Sequence, residues 1–238
     1  GPSDLGHATY QTLTGDYDGD GNDDLYVTTN TPWEWIVFRG TGTGLSMTPI
    51  ATGLSANGLG WMLTDYNGDG LKDMARYDAT SFLWSTYPRL GLPGERLISA
   101  IDGLDNAVTF NYLPMTNSTV YTKGTGATYP NRDYQSAKPL VRTLQVSPGG
   151  GTSYSIEYKY VAARVDNQGR SYLGMYSRIV TDKRNDVFTT ETYRQDFPYI
   201  GAPATVTVKQ AGGTDTIQSV TNTYANYVLD ATSGNQRY

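Results

Sequence analysis

An acidic turn that recurs at a fixed spacing constrains this chain more than any other feature. "GDYDGDGNDDLYV", residues 15–27, places five aspartates in nine positions, and "TDYNGDGLKDMAR", residues 64–76, repeats the design. Aligned, Asp16, Asp18, Asp20, Asn22 and Asp24 correspond to Asp65, Asn67, Asp69, Leu71 and Asp73, each pair 49 residues apart. The shared pattern is D-x-[DN]-x-D-G-x-x-D followed by an apolar residue. Clustered carboxylates repel. Two unit charges about 4 Å apart at an effective dielectric near 20 oppose each other by roughly 4 kcal/mol. A turn that keeps such a cluster twice therefore calls for a cation.

The donor set selects the ion. Alternate positions 1, 3 and 5 turn oxygens toward one point, and Gly21 and Gly70 permit the sharp bend that follows. Asn22 or Leu71 would offer a backbone carbonyl, which lets the side chain differ, and Asp24 or Asp73 would close the cage. Hard oxygen ligands in a flexible loop suit Ca2+ at six or seven coordination better than magnesium or zinc. Two calcium sites are expected, the first tighter, because the second replaces a carboxylate by Asn67 and has Lys72 nearby. An EF-hand is excluded: its position 12 needs a glutamate, where Val27 and Arg76 stand, and a helix should follow, not "LYVTT". Nothing beside either loop supplies an acid–base pair, so the expected role of the metal is to staple structure rather than to catalyse.

Composition narrows the remaining classes. The chain has no cysteine, which removes disulfides, thiolate zinc sites and cysteine nucleophiles. Its one histidine, His7, reads as a solvated residue near the terminus. The leading "GPS", residues 1–3, reads as a remnant of tag removal. Eight of the 23 acids sit in the two loops, leaving 15 against 18 basic residues, so the net charge of −5 has a local origin. No basic stripe points to nucleic acid and no apolar run approaches a membrane span. Twenty tyrosines, abundant glycine and frequent threonine favour pleated sheets joined by tight turns.

The spacing of 49 residues is that of a propeller blade or a similar β-array. Each unit reads as loop, strand, turn, strand: "LYVTTN" then "WEWIVFRG", and "MARYDA" then "SFLWSTY". Trp33, Trp35 and Trp84 read as inter-sheet core, with sugar stacking as the alternative. From about residue 97 the pattern changes to period-two strands. Val108, Phe110 and Tyr112 share a face, as do Tyr154, Ile156, Tyr158 and Tyr160, and Ala204, Val206 and Val208. The turns between strands are "SPGGGTS", "DNQGRS", "DKRND" and "QAGGTD". Residues 114–139 read as a long loop or mobile excursion. Arg170 and Arg194 are expected to pair with acids or stack on tyrosines, and Asp196 to cap a turn.

The loop-plus-strand units resemble FG-GAP (or VCBS) calcium repeats, over roughly residues 10–90. Segments "LISAIDGLDNAVTFNYLP", "EYKYVAARVDNQGRSYLGMYSRIVTD" and "YRQDFPYIGAP" resemble the region after the propeller repeats in SpvB-like proteins and insecticidal Tc-toxin B components. "YKYVAARVDNQGR" is similar to the YD repeat of RHS proteins. The expected architecture is therefore all-β: two propeller-blade-like calcium repeats in residues 4–96, then an antiparallel RHS-type strand array in 97–238. Two units cannot close a ring that takes four to eight blades. The resemblance implies a secreted or bacterial cell-surface, non-enzymatic piece of a toxin shell, whose partners are other parts of the same polypeptide or toxin complex. The alternative is a surface adhesin or carbohydrate-binding module that meets a host surface or glycan.

Overall fold

In the computed structural model, every regular element among the described residues is a β-strand. Those residues are 10–30, 32–57, 60–89, 96–169 and 171–225, with the backbone of 227–230 and 235–237. His7, Arg170 and residues 1–3 lie outside them. No described helix is long and apolar enough to cross a membrane. The chain divides into two compact units, Gly1–Arg96 and Leu97–Tyr238.

The first unit contains two small antiparallel sheets. β1 (Thr12–Gly15), β2 (Asp24–Thr28), β3 (Glu34–Phe38) and β4 (Ile50–Ser55) pair in chain order, as do β5 (Trp61–Thr64), β6 (Asp73–Asp78) and β7 (Leu83–Tyr87). The repeat is kept in three dimensions: adding 49 to the bounds of β1 gives those of β5, and adding 49 to those of β3 gives those of β7. Each acidic loop bridges the first two strands of its sheet. Among the described residues the second sheet has no counterpart of β4. At that offset, near residue 99, stands β8 (Ser99–Ile101), which pairs instead with β9 (Ala107–Pro114) in the second unit.

Apolar residues on alternate positions of these short strands meet in one core. Tyr26, Trp35, Val37, Ala56, Trp61 and Met74 are buried together, with Tyr17 and Tyr87 packed against them. Trp35 meets Trp61 edge to face at 5.7 Å between centroids, and Trp61 stacks on Tyr87 at 5.5 Å. Of the three tryptophans expected in the core only Trp35 belongs there. Trp33 is 42% and Trp84 56% exposed. Their places in the sheet explain both. Trp33 precedes β3, and Trp84 lies on β7, an edge strand whose outer side nothing described pairs. Trp61, which opens β5, takes the interior place.

The second unit is built on one large sheet whose main path runs antiparallel, with β10 (Tyr121–Thr122) added in parallel to β13 (Tyr154–Asp166). From one edge it runs β17 (Thr216–Thr221), β16 (Pro203–Lys209), β15 (Val187–Tyr193), β14 (Ser171–Asp182), β13 (Tyr154–Asp166), β12 (Pro139–Ser147), β9 and β8. The four expected turns join β12 to β13, β13 to β14, β14 to β15 and β16 to β17. Val108, Phe110 and Tyr112 are half-buried while Thr109 and Asn111 are exposed, as period-two alternation requires. A separate hairpin pairs β18 (Tyr227–Asp230) with β19 (Asn235–Arg237).

Residues 114–139 are not the loose excursion their sequence suggests. They contribute β10 (Tyr121–Thr122) and β11 (Asn131–Asp133), both paired with β13. Met115, Val120 and Tyr121 from this stretch form the buried centre of the unit with Leu140 and Ala163. The Tyr121 hydroxyl donates to the Tyr134 carbonyl at 2.6 Å and accepts the Ala163 N–H at 2.9 Å. A fully used phenol lets a tyrosine sit in the interior. Arg194 pairs with Asp196 and lies over Tyr199 at 5.0 Å, as expected of Arg194; the Asp196 carboxylate, expected to cap a turn, is engaged by that guanidinium.

Candidate metal centre

The two acidic loops fold alike because the same side chains hold the same backbone N–H groups. In the first, Asp16 accepts from Gly19 (2.6 Å) and Gly21 (3.0 Å); in the second, Asp65 accepts from Gly68 (2.7 Å) and Gly70 (3.0 Å). Asp20 accepts the Asn22 N–H and Asp69 the Leu71 N–H, each at 2.8 Å. Gly21 and Gly70 take φ of +87° and +91°, where a side chain would be strained. The neighbouring N–H of Asn22 also holds the Asp20 carboxyl below the usual carboxylate range.

Asp24 and Asp73 do something that the motif alone does not reveal. Both are buried, at 1% and 0% exposure. Each carboxylate is divided between two backbone donors. Asp24 accepts the Tyr17 N–H with one oxygen and the Gly40 N–H, 2.6 Å away, with the other. Asp73 accepts the Tyr66 N–H at 3.2 Å and the Arg89 N–H at 2.8 Å. In both repeats the donors lie seven residues before and 16 after the aspartate. The closing aspartate thus ties the start of the loop to the chain leaving the third strand. The clue in the sequence was the apolar residue after each of these aspartates, which marks them as the first residues of buried strands.

The loops differ in how the carboxylates converge. Oxygens of Asp16, Asp18 and Asp24 lie within 4.8 Å of one another. The backbone donors serve Asp16 and Asp24, and Arg39 stands 3.6 Å from one oxygen of Asp18. The other oxygen, Asp18 Oδ1, is buried without a hydrogen-bond partner. A buried anionic oxygen left so is costly, and a hard divalent cation is a partner that would satisfy it. Asp20 stays outside this trio. In the second loop Asn67 turns onto Asp69, donating to its carboxylate at 3.0 Å and accepting its N–H at 2.9 Å. Asn22 is half-buried, while the Leu71 side chain is buried in the interior. The first loop therefore fits a calcium ion through Asp16, Asp18 and Asp24. The second offers Asp65, Asp69 and Asp73 with Asn67 already engaged.

Residues 16–75 match the family model of the FG-GAP-like repeat. The matched segment begins on the first aspartate of the first loop and ends inside β6, so it covers both loops. The chain is also similar in fold to a chain of the solved complex of TcdB2, TccC3 and Cdc42. The TM-score is 0.59 at 16% identity, over 79% of this chain and 10% of that one. The chain thus spans about a tenth of the length of that structural relative. No curated protein matches the sequence.

Proposed function

We propose that this chain is a calcium-stapled, non-catalytic building piece of a secreted or surface-borne bacterial toxin-type assembly. Residues 4–96 serve as two FG-GAP/VCBS-type calcium repeats, and 97–238 as antiparallel wall of the SpvB-like, Tc-toxin B and RHS kind. The observation that carries the metal is the convergence of Asp16, Asp18 and Asp24 around an unpartnered Asp18 oxygen. Calorimetric titration of the calcium-free chain tests it. Two binding events are expected, and Asp18→Asn should weaken the tighter one. Equal affinities, or a tighter event that survives Asp18→Asn, would refute the ordering.

Several features support a structural role. The carboxyl groups of Asp20, Asp78, Asp102, Asp182 and Asp196 all titrate below the ordinary range, because nearby N–H, amide or guanidinium donors favour the anion. General-acid work needs a carboxyl shifted upward. β7 supports docking to further parts of a longer polypeptide. It ends its sheet where β4 continues the first one, and Phe82, Leu83 and Trp84 stand exposed along it. An open strand edge with apolar side chains is a template for another strand. Backbone amides of residues 83–87 on the unpaired side should exchange quickly in this chain and become protected when flanking coding sequence is included. Unchanged exchange would remove the docking reading. Trp84, one of the three tryptophans the glycan-binding alternative invokes, lies on that same edge.

A further inference from the structure

The two repeats of the first unit line a half-open cavity of about 330 Å³, to which the acidic loops bring Tyr17 and Lys72 but none of the candidate metal ligands. Tyr17, Tyr26, Met74 and Tyr87 form its walls, and Lys72 and Arg89 bring two cations to it. The volume admits several water-sized groups, enough for a small organic ligand or one side chain. No carboxylate lines it. The two loop-closing aspartates are occupied elsewhere, Asp24 by the Tyr17 and Gly40 N–H groups and Asp73 by those of Tyr66 and Arg89.

Arg89 is the informative residue. Its guanidinium lies over the Tyr17 ring, 4.2 Å from the centroid. Among the described residues neither it nor Lys72 forms an ion pair, and Arg89 Nη1 is buried with no hydrogen-bond partner. A buried donor without an acceptor is unfavourable, and a guanidinium's parallel donors match the two oxygens of a carboxylate. The placement is built rather than incidental. Asp24 fixes the Tyr17 backbone and Asp73 the Arg89 backbone, so the two loop-closing aspartates each hold one member of the stacked pair.

We propose that this cavity is a carboxylate-binding site, in which Arg89 forks onto the ligand's two oxygens, Lys72 supplies a second positive charge, and the tyrosines and Met74 pack its carbon stem. A single planar charge is favoured over a phosphate, because the acidic loops next to the cavity repel a doubly charged anion more strongly. A carboxylate reaches the site either as a glutamate or aspartate side chain of a protein segment or as a sugar acid.

The test uses the whole chain and reads the Arg89 side-chain N–H signal by NMR during titration. N-acetylglutamate N-methylamide stands for a protein side chain, sodium glucuronate for a sugar acid and inorganic phosphate for a competing anion. One carboxylate should shift the signal saturably with a dissociation constant on the order of 1 mM. Lys72→Gln should weaken that binding several-fold. Arg89→Gln, followed through the Lys72 and Tyr87 backbone amides, should weaken it at least roughly tenfold, with the melting temperature near that of the parent. Tighter binding of the glutamate derivative assigns the site to a protein segment, and tighter binding of glucuronate to a sugar acid. No saturable shift with either carboxylate, phosphate binding as tightly as both, or binding unaffected by Lys72→Gln and Arg89→Gln would overturn the proposal. The site requires no metal, so repeating the titration in chelator separates its failure from that of the calcium reading.

Discussion

Calcium added to the metal-free chain is expected to raise its melting temperature, and excess chelator to lower it again. The reason lies in linkage. An ion that binds only the folded loop, held at 100 times its dissociation constant, adds about 2.7 kcal/mol per site. Unfolded, Asp16, Asp18 and Asp24 are independent and bind weakly; folded, their oxygens lie within 4.8 Å of one another. The first unit is of a size at which each kcal/mol moves the midpoint by roughly 4–8 °C. One filled site should therefore raise the transition of that unit by roughly 10–20 °C. The second unit contains no acidic loop and should melt at the same temperature with or without the ion. Differential scanning calorimetry in calcium and in chelator measures both. A thermogram that does not respond to calcium would end the stapling reading.

Asp24→Ala should be far more damaging than Asp20→Ala, although the two residues sit four positions apart in one motif. Asp24 is buried, and its two oxygens take the N–H groups of Tyr17 and Gly40. Removing the carboxylate leaves two interior donors without acceptors, at about 1–3 kcal/mol each. A total of about 3–5 kcal/mol is expected. Asp20 is exposed and accepts only the Asn22 N–H. Its loss should cost about 1 kcal/mol or less. The comparison belongs in chelator, monitored by denaturant unfolding, so that lost metal affinity does not enter. Asp24→Asn should fall between the two, because its amide keeps one acceptor and presents a donor to the other N–H. Equal losses from Asp24→Ala and Asp20→Ala would show that the buried carboxylate is not a staple. Asp73→Ala should mirror Asp24→Ala, since Tyr66 and Arg89 occupy the corresponding places.

The repeat was legible because its period is carried by residues with strong local preferences. Glycines at positive φ and aspartates that bond their own loop fix the turn whatever surrounds it. Strand alternation in the second unit was legible for the same reason: hairpins with glycine-rich turns are local. What failed was non-local. Whether Trp33, Trp35 or Trp84 faces inward depends on where β3 and β7 begin and on which edge is left unpaired. Residues 114–139 contain Pro, Gly and Thr in a pattern that marks irregular chain, and irregular it largely is. Its order comes from packing Met115, Val120 and Tyr121 against Leu140 and Ala163, which local propensity does not encode. The candidate site was legible as a set of ligand types. That the fifth aspartate position also fastens two distant strands, and that Arg89 turns into a cavity, became visible only once those strands were placed.

The staple grips a main-chain amide on the far side of each sheet, so the hydrogen bond itself uses no side chain there, and it is the surroundings that decide whether one fits. In the first repeat that position is Gly40, where an added Cβ would come within 2.4 Å of the Asp23 carbonyl oxygen. In the second it is Arg89, whose long side chain reaches the inter-repeat cavity. One duplicated frame has thus kept its fastening while exchanging no side chain at all for the largest cation available. Duplicates of this kind can acquire new recognition chemistry at the fastened position without loosening the frame.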